Sequence, residues 1–213
     1  SAASDVYKRQ EAARGTEYEA FAGNNPDHQT ILPFTRWMGG PMDYTPGIFQ
    51  TKFDYYFPGD KRYVKTTLAK QLGLYVVMYQ PLQMAADLPE NYAKHMDAFQ
   101  FIKDVAADWD DTKILSAEPG DYIHTARKAK GTDNWFVGGI TDENPRDFTV
   151  DFSFLDKGKK YEATIYEDGK DADYINNPQS YHIYKKTITS KTKLPVHLVR
   201  SCLLYTTDAA DEE

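Results

Sequence analysis

The chain has 213 residues, 41% of them hydrophobic, and a formal net charge of −7, a composition that suits one globular domain or two smaller ones. Its basic residues are scattered among acidic ones, whereas nucleic-acid binders cluster lysine and arginine, so we expect no nucleic-acid partner. It contains no run of about eighteen apolar residues, hence no predicted membrane span, and its single cysteine, Cys202, excludes a disulfide within the chain.

Both ends of the chain resemble translated sequencing adapter. Residues 1–10 match the in-frame translation of a transposon-type adapter, and residues 202–210 match its reverse complement except at Thr207. Segments of this kind are left out of fold predictions. We therefore expect residues 1–10 and 201–213 to be adapter-like artefacts, and residues 11–200 to be a piece of a longer protein.

Two carboxylates, Glu11 and Glu17, lie six positions apart in the segment Glu-Ala-Ala-Arg-Gly-Thr-Glu. A charged, solvated surface that includes Arg14 explains this pattern without any chemistry, since exposed ion pairs at helical spacing are common and weak. Gly15 favours the alternative, because glycine is a poor choice for an exposed helix interior and a good one where backbone bends beside a ligand. Both interpretations stay open on the residues alone.

The next segments predict short buried strands that end in shaped loops. Residues 30–34 form one such strand, and the glycine- and proline-rich residues 39–47 form the second with its loop. In that loop Asp43 is predicted as a turn carboxylate that bonds nearby backbone N–H groups, in preference to a catalytic role. This part of the chain also contains a cluster of six aromatic residues, which could form either part of the core or a wall that stacks on sugars. They are Tyr44, Phe49, Phe53, Tyr55, Tyr56 and Phe57.

Two helices are predicted after this aromatic cluster. Over residues 64–79 the apolar residues recur every three or four positions, the period of a helix with one buried stripe, and Pro81 ends it. Asp87 and Glu90 fit a capping box, because Asp87 can accept hydrogen bonds from free backbone N–H groups and Glu90 follows three residues later. The second helix is expected to run from this box to about Val105.

After residue 109 the apolar period changes from near four to two, which predicts half-buried strands of an antiparallel sheet. The expected strands cover residues 113–116, 122–127, 134–140, 148–154, 161–166, 182–189 and 194–199. Pro195 cannot donate to a ladder, so the last of these strands is placed at a sheet edge. The acidic residues 167–173 mimic a calcium loop, but their glycine precedes the spaced acids instead of following them, so a turn is predicted.

Four separated blocks of the sequence resemble glycoside hydrolase family 97. They are residues 11–21, 30–36, 40–47 and 85–92, and the resemblance extends through residues 138–144. It implies an α+β fragment: residues 11–112 as the C-terminal part of a (β/α)8 catalytic barrel, and residues 113–200 as an all-β antiparallel sandwich domain. A whole barrel needs about 250 residues, so the rest of the barrel and an N-terminal domain are expected upstream.

Within the family the blocks resemble the starch-utilisation α-glucosidases of gut anaerobes. The resemblance implies that Glu17 is the general acid that protonates the leaving glycosidic oxygen, and that Glu11 and Glu17 are ligands of a calcium ion, Ca2+. The parent protein is then expected to be periplasmic and to hydrolyse α-glucosidic bonds at the non-reducing ends of maltooligosaccharides, with inversion. The second catalytic carboxylate is expected upstream, so the fragment by itself is expected to be inactive.

Two alternatives stay open. One branch of the same family consists of retaining α-galactosidases, whose nucleophile is also expected upstream. The other alternative is non-catalytic and makes residues 113–200 a carbohydrate-binding β module, with Trp135, Tyr166 and Tyr184 as stacking platforms.

Overall fold

The computed structural model describes residues 25–41 and 44–198 and, as backbone alone, the strand Cys202–Ala209. The described helices are α1 Pro26–Ile31, α2 Leu68–Val77, α3 Pro89–Tyr92 and α4 Met96–Asp104, with 3₁₀ helices at Leu32–Phe34, Arg36–Gly39 and Phe53–Tyr55. The described strands are β1 Trp109–Glu118, β2 Tyr122–Ala129, β3 Trp135–Thr141, β4 Arg146–Asp151, β5 Tyr161–Asp168, β6 Tyr181–Ile188, β7 Lys193–Leu198 and β8 Cys202–Ala209. Helices thus precede antiparallel sheets, as predicted.

The described strands form two antiparallel sheets. The larger sheet has the order β1-β2-β3-β8-β5-β6, and β4 pairs with β7 in a two-stranded sheet. Each predicted strand has a counterpart, but β4 ends at Asp151, so residues 152–154 lie outside it, and β3 is buried along its whole length instead of half-buried as predicted. Turns with positive φ at Gly120 and Gly131 lead into β2 and β3. Pro195 pairs with Thr149, and among the described strands β7 pairs with β4 alone, which confirms the edge position predicted for Pro195.

Strand β8 lies in the centre of the larger sheet, between β3 and β5. Its partners run from Trp135 to Ile140 on one side and from Tyr161 to Glu167 on the other. Because this segment is predicted to be adapter-like, no strand is predicted there. The adapter origin of residues 201–213 and the predicted domain boundaries stay predictions.

One core fills the space between the two sheets. Trp135, Val137 and Ile165 of the larger sheet pack in one cluster with Val150 and Leu198 of the smaller sheet. None of these five side chains is more than 6% exposed. Two sheets that face each other across such a core form a β-sandwich.

The opposite face of the larger sheet packs on α2. Phe136 of β3 shares a cluster with Leu72 of the helix, together with Phe49 and Phe101 from other segments. All ten residues of α2 are buried, so the predicted helix is present but the prediction of a single buried stripe is wrong. A helix that is covered by a sheet on one side and by further chain segments on the other is apolar nearly all round.

Two neighbouring glycines of β3 permit close packing on both faces of the sheet. A Cβ at Gly138 would lie 2.8 Å from the Cβ of Val76 and 2.9 Å from the carbonyl oxygen of Gly73, both in α2. A Cβ at Gly139 would overlap the imidazole of His124 on the other face. Successive side chains of a strand point to opposite faces, so one glycine admits the helix and the other admits the histidine.

Residues 30–34, predicted as a buried strand, lie instead in α1 and in the 3₁₀ helix that follows it. Pro26 and Pro33 each occupy the first turn of their helix, where the missing N–H of proline costs no hydrogen bond. Residues 44–47, predicted as a strand that ends in a loop, also belong to no strand. The N–H groups of Tyr44 and Gly47 donate to side chains from other segments, as described below.

The second predicted helix is present in two pieces, α3 and α4, and the predicted capping box is wrong. The N-cap position of α3 is Leu88, and no side chain caps it. The carboxylate of Asp87 accepts hydrogen bonds from the N–H groups of Phe49 and Gln50, which belong to a distant segment. Those two N–H groups have no strand partner, so bonding to them replaces the local cap.

Candidate functional site

The two carboxylates predicted to carry the chemistry, Glu11 and Glu17, lie outside the described residues, and so does Asp43. Within the described ranges, no group of three or more His, Cys, Asp or Glu side chains is arranged to hold a metal ion. No described helix is long and apolar enough to cross a membrane. The predicted general acid and calcium ligands stay predictions, and the described residues show how the segment next to Asp43 is held.

Residues 44–50 form no regular secondary structure, and buried amide side chains bond some of their backbone N–H groups. Oε1 of Gln80 accepts a hydrogen bond from the N–H of Tyr44 at 2.8 Å, and Oε1 of Gln71 accepts one from the N–H of Gly47 at 2.8 Å. Both glutamines are buried. Because buried N–H groups need partners, these two side chains take the place of a neighbouring strand.

Two buried tyrosine hydroxyls contact the backbone at Pro46 and Gly47. The hydroxyl oxygen of Tyr75 lies 3.0 Å from the carbonyl oxygen of Pro46 and 2.5 Å from that of Met84, so its one hydrogen is shared between these two acceptors. The hydroxyl of Tyr92 donates to the carbonyl of Gly47 at 2.7 Å. Gly47 has a φ of 102°, and a Cβ there would lie 2.5 Å from the Tyr75 hydroxyl oxygen, so the position requires glycine. Burial raises the pKa of Tyr75 and raises the pKa of Tyr92 to about 12, so both hydroxyls remain donors at neutral pH.

Asp87 joins the 44–50 segment to α3. Its Oδ2 accepts hydrogen bonds from the N–H groups of Phe49 and Gln50, both at 2.7 Å, and its Oδ1 accepts one from Nδ2 of Asn91 at 2.6 Å. Nδ2 of Asn91 also donates to the hydroxyl of Tyr56 at 2.5 Å. One carboxylate therefore fixes the end of the segment and, through Asn91, a nearby aromatic loop.

The aromatic cluster that the sequence leaves as core or sugar-stacking wall contains both buried and exposed residues. Tyr44 and Phe49 are fully buried core residues. Tyr55, Tyr56 and Phe57 are 55%, 36% and 62% exposed on one loop, and we call these three the aromatic patch. The signal in the sequence for their exposure is the Pro-Gly-Asp turn directly after Phe57.

Two of the three stacking platforms of the non-catalytic alternative are buried. Trp135 and Tyr166 are each 6% exposed and lie in different cores, on opposite faces of the larger sheet. Tyr184 is partly buried against the first of these cores. The assignment of Trp135 and Tyr166 as platforms is wrong, because a ring that is covered on both faces cannot stack on a sugar.

The predicted acidic turn is present at residues 169–171, whereas Glu167 and Asp168 are the last residues of β5. Asp171 accepts a hydrogen bond from the hydroxyl of Ser180 at 2.5 Å. The loop that follows reaches the helical part of the chain, where Nε2 of Gln179 donates to the carbonyl of Phe49 at 2.8 Å. A loop of the sandwich thus supports the same segment that Asp87 holds.

Residues 108–202 match a family model described as "Glycosyl-hydrolase 97 C-terminal, oligomerisation". The chain is 37% identical over 193 residues to the retaining alpha-galactosidase of Bacteroides thetaiotaomicron, a match that covers 88% of this chain and 28% of that protein. It superposes with a TM-score of 0.87 and 43% identity on a glycoside hydrolase family 97 enzyme of Pseudoalteromonas sp. strain K8, over 93% of this chain and 31% of that one.

Structures of the Pseudoalteromonas enzyme include a complex with acarbose and a complex of a variant with panose. A beta-arabinopyranosidase shares the fold at a TM-score of 0.72 and 20% identity, over 90% of this chain and 30% of that one. The chain spans less than a third of the length of each of these three proteins.

Proposed function

The chain belongs to glycoside hydrolase family 97, and on this basis we propose that the longer protein hydrolyses α-glycosidic bonds at the non-reducing ends of oligosaccharides. The observation that carries this proposal is the superposition on the Pseudoalteromonas enzyme, because it includes the helical part of the chain as well as the sandwich. A periplasmic location is proposed on the resemblance alone.

Glu17 is proposed as the general acid. Hydrolysis of a glycoside needs one carboxylic acid that protonates the leaving oxygen and a second carboxylate across the sugar ring. We assign the first role to Glu17 and place the second carboxylate upstream of this chain. Glu17 must then keep its proton near neutral pH, and burial or a neighbouring carboxylate would favour this by raising its pKa.

The described residues have a positioning role in this proposal. In (β/α)8 barrels the active site lies at the face where strands lead into helices. Residues 44–67 lead into α2, so we place the loop that they form at the catalytic face. The buried amides of Gln71 and Gln80 and the carboxylate of Asp87 would then hold the backbone beside Asp43 in one conformation.

A calcium ion is proposed as a cofactor, with Glu11 and Glu17 among its ligands. Carboxylate oxygens suit Ca2+, which takes about six to eight oxygen ligands, so most of the cage would come from outside this chain. The bound ion would supply positive charge to the site. That charge favours ionised carboxylates, so the proton on Glu17 depends on the opposing effect of burial.

We propose α-glucosides, including maltooligosaccharides, as substrates, with inversion, and α-galactosides with retention as the second candidate. The first is supported by the acarbose and panose complexes of the relative that is 43% identical, since panose is an α-glucosidic trisaccharide. The second is supported by the retaining alpha-galactosidase that is 37% identical. The two outcomes differ in the distance between the catalytic carboxylates, which is longer in inverting enzymes because a water molecule must fit.

A chimeric enzyme tests the proposed function. Residues 11–198 replace the matching segment of the Pseudoalteromonas enzyme, and hydrolysis of panose and of α-glucosyl fluoride is measured. We expect both substrates to be cleaved, and Glu17→Gln to slow panose cleavage by about 100-fold or more, as loss of a general acid does. Cleavage of α-glucosyl fluoride should suffer much less, because fluoride leaves with little help from an acid.

The matched control is Glu19→Gln, which changes a neighbouring carboxylate and is expected to leave both rates near those of the unchanged chimera. Faster cleavage of α-galactosyl fluoride than of α-glucosyl fluoride would support the second candidate. A folded chimera whose panose activity survives Glu17→Gln would contradict the role of Glu17. The chain by itself is expected to cleave none of these substrates.

A further inference from the structure

On the basis of the function proposed above, we propose that the aromatic patch of Tyr55, Tyr56 and Phe57 binds sugar units of an α-linked oligosaccharide beyond the bond that is cleaved. Large aromatic side chains are usually well buried, and three of them exposed together on one loop mark an interaction site. The electron-rich face of such a ring attracts the C–H groups on the face of a sugar.

Polar side chains hold the two tyrosine rings of the patch in place. Nζ of Lys94 donates to the hydroxyl of Tyr55 at 2.8 Å, and Nδ2 of Asn91 donates to the hydroxyl of Tyr56 at 2.5 Å. The centroids of the two tyrosine rings are 5.0 Å apart, with the ring planes nearly perpendicular at 87°. Rings that are fixed before a ligand arrives lose little conformational entropy when it binds.

The patch belongs to the same scaffold as the segment next to Asp43. Asn91 bonds both the hydroxyl of Tyr56 and the carboxylate of Asp87, and Asp87 in turn bonds the N–H of Phe49. Three hydrogen bonds thus connect the patch to residues 44–50, which the proposed function places at the catalytic face. An oligosaccharide with one end in the catalytic pocket would extend outward over this face.

The surroundings of the patch suit a neutral ligand rich in hydroxyl groups. The N–H of Asp60 donates to the carbonyl of Phe57 at 2.9 Å, and the side chain of Asp60 pairs with Arg62 at 2.6 Å. Opposite charges in a close pair largely cancel, which leaves the Lys94 ammonium, 4.4 Å from the centroid of the Tyr55 ring, as a charged group directly beside the patch. Two of its three N–H donors are bonded, to the hydroxyl of Tyr55 and to Oδ1 of Asn91. Aromatic rings with a few placed polar groups are the usual lining of a small-molecule site. The centre of a protein interface is depleted of charged residues, whereas this patch has charged side chains directly beside it.

Titration of the 213-residue chain with maltoheptaose, followed by saturation-transfer NMR, tests this proposal. We expect saturable binding with a dissociation constant of about 1 mM. Phe57→Ala and Tyr55→Ala should each weaken it about threefold or more, the loss expected for one aromatic contact. Both side chains are exposed, so the variants are expected to keep the circular dichroism spectrum of the unchanged chain.

The matched control is Met38→Ala, which removes an apolar side chain that is 80% exposed outside the patch and is expected to bind as the unchanged chain does. In the chimera, Phe57→Ala should raise KM for maltoheptaose and leave the constants for α-glucosyl fluoride, which has no second sugar, unchanged. Absence of saturation at about 10 mM, or equal binding by all variants, would overturn the proposal. Cleavage of α-glucosyl fluoride by the chimera tests the proposed function separately.

Discussion

The carboxylate of Asp87 accepts a hydrogen bond of 2.7 Å from the backbone N–H of Phe49, which lies thirty-eight residues earlier in the chain. A second N–H, that of Gln50, reaches the same oxygen at the same distance. These two hydrogen bonds connect the start of α3 to the segment that follows Asp43. A change at Asp87 should therefore affect both the stability of the chain and the position of the proposed catalytic loop.

Asp87→Asn keeps the size of the side chain but replaces one carboxylate oxygen with an NH2 group. At least one of the N–H groups or the amide of Asn91 then loses its acceptor, so the free energy of unfolding should fall by about 1–3 kcal/mol. Urea unfolding followed by tryptophan fluorescence measures it. Glu90→Gln, the same change at an exposed carboxylate of α3, is the control, and equal midpoints for the two variants would contradict the role given to Asp87.

Gly138→Ala should destabilise the packing of α2 on the larger sheet. The added Cβ would lie 2.8 Å from the Cβ of Val76, and the nearby carbonyl of Gly73 is backbone that cannot rotate away. We expect the free energy of unfolding, measured by heat or urea, to fall by about 1–3 kcal/mol, the usual cost of overpacking a core. Gly39→Ala adds the same methyl group where no atom lies within 4 Å, and it should change the unfolding midpoint much less.

The strands of the sandwich were predictable because a period of two depends only on neighbouring residues and on one buried face, and β4 and β7 show it clearly. The helical conformation of residues 30–34 was not predictable, because a short apolar run fits a buried strand and a buried helix equally well. The proline at position 26 is the local signal that favours the helix. The second helix was predicted, but the role of Asp87 was not. Asp87 accepts a hydrogen bond from the N–H of Phe49, a tertiary contact that no local sequence pattern contains.

The candidate site was predictable in residue type but not in exposure. Tyr44 and Phe57 belong to the same aromatic-rich stretch, yet one is fully buried and the other is 62% exposed. Burial of Tyr44 depends on contacts with Trp37 and Gln29, which precede it, and these exist only once the chain has folded. The family resemblance supplies roles for Glu11 and Glu17, whereas the hydrogen bonds that hold the neighbouring backbone come from residues well separated in sequence.

Arg127→Gln should weaken the contact between α2 and the sandwich. Nε of Arg127 donates to the carbonyl of Val76 at 2.6 Å, at the C-terminal end of α2, where a positive charge is favourable. Burial lowers the pKa of Arg127 to about 10, so the side chain stays charged at neutral pH. We expect the free energy of unfolding, measured with urea, to fall by about 1–3 kcal/mol. Arg127→Lys should recover part of it through its charge, and two variants as stable as the unchanged chain would contradict this role.

Stability should fall in mild acid because of His124. This histidine is 4% exposed, its Nδ1 lies 2.9 Å from the hydroxyl of Ser116, and its Nε2 has no partner among the described groups. Burial lowers its pKa from the usual 6.5 to about 4. The unfolded chain binds this proton at a higher pH than the folded chain, so stability is full above about pH 6.5 and falls as the pH drops towards 4, by up to about 3 kcal/mol.

Urea unfolding at a series of pH values between these limits measures the effect. His124→Phe removes the titrating group and should flatten the slope of stability against pH, whatever its effect on stability at neutral pH. His197→Gln changes an exposed histidine beside Asp147 and should leave most of the slope in place. Equal slopes for the unchanged chain and His124→Phe would show that other groups cause the acid sensitivity.

The larger sheet can close only after its central strand, β8, has been made. This strand is the last of the described strands along the chain, yet it pairs with β3 on one side and with β5 on the other. Until it docks, the larger sheet consists of two halves, each with a bare edge of unpaired N–H and C=O groups. Such edges pair readily with other molecules, so a nascent or clipped chain that lacks residues 202–209 should be prone to aggregate.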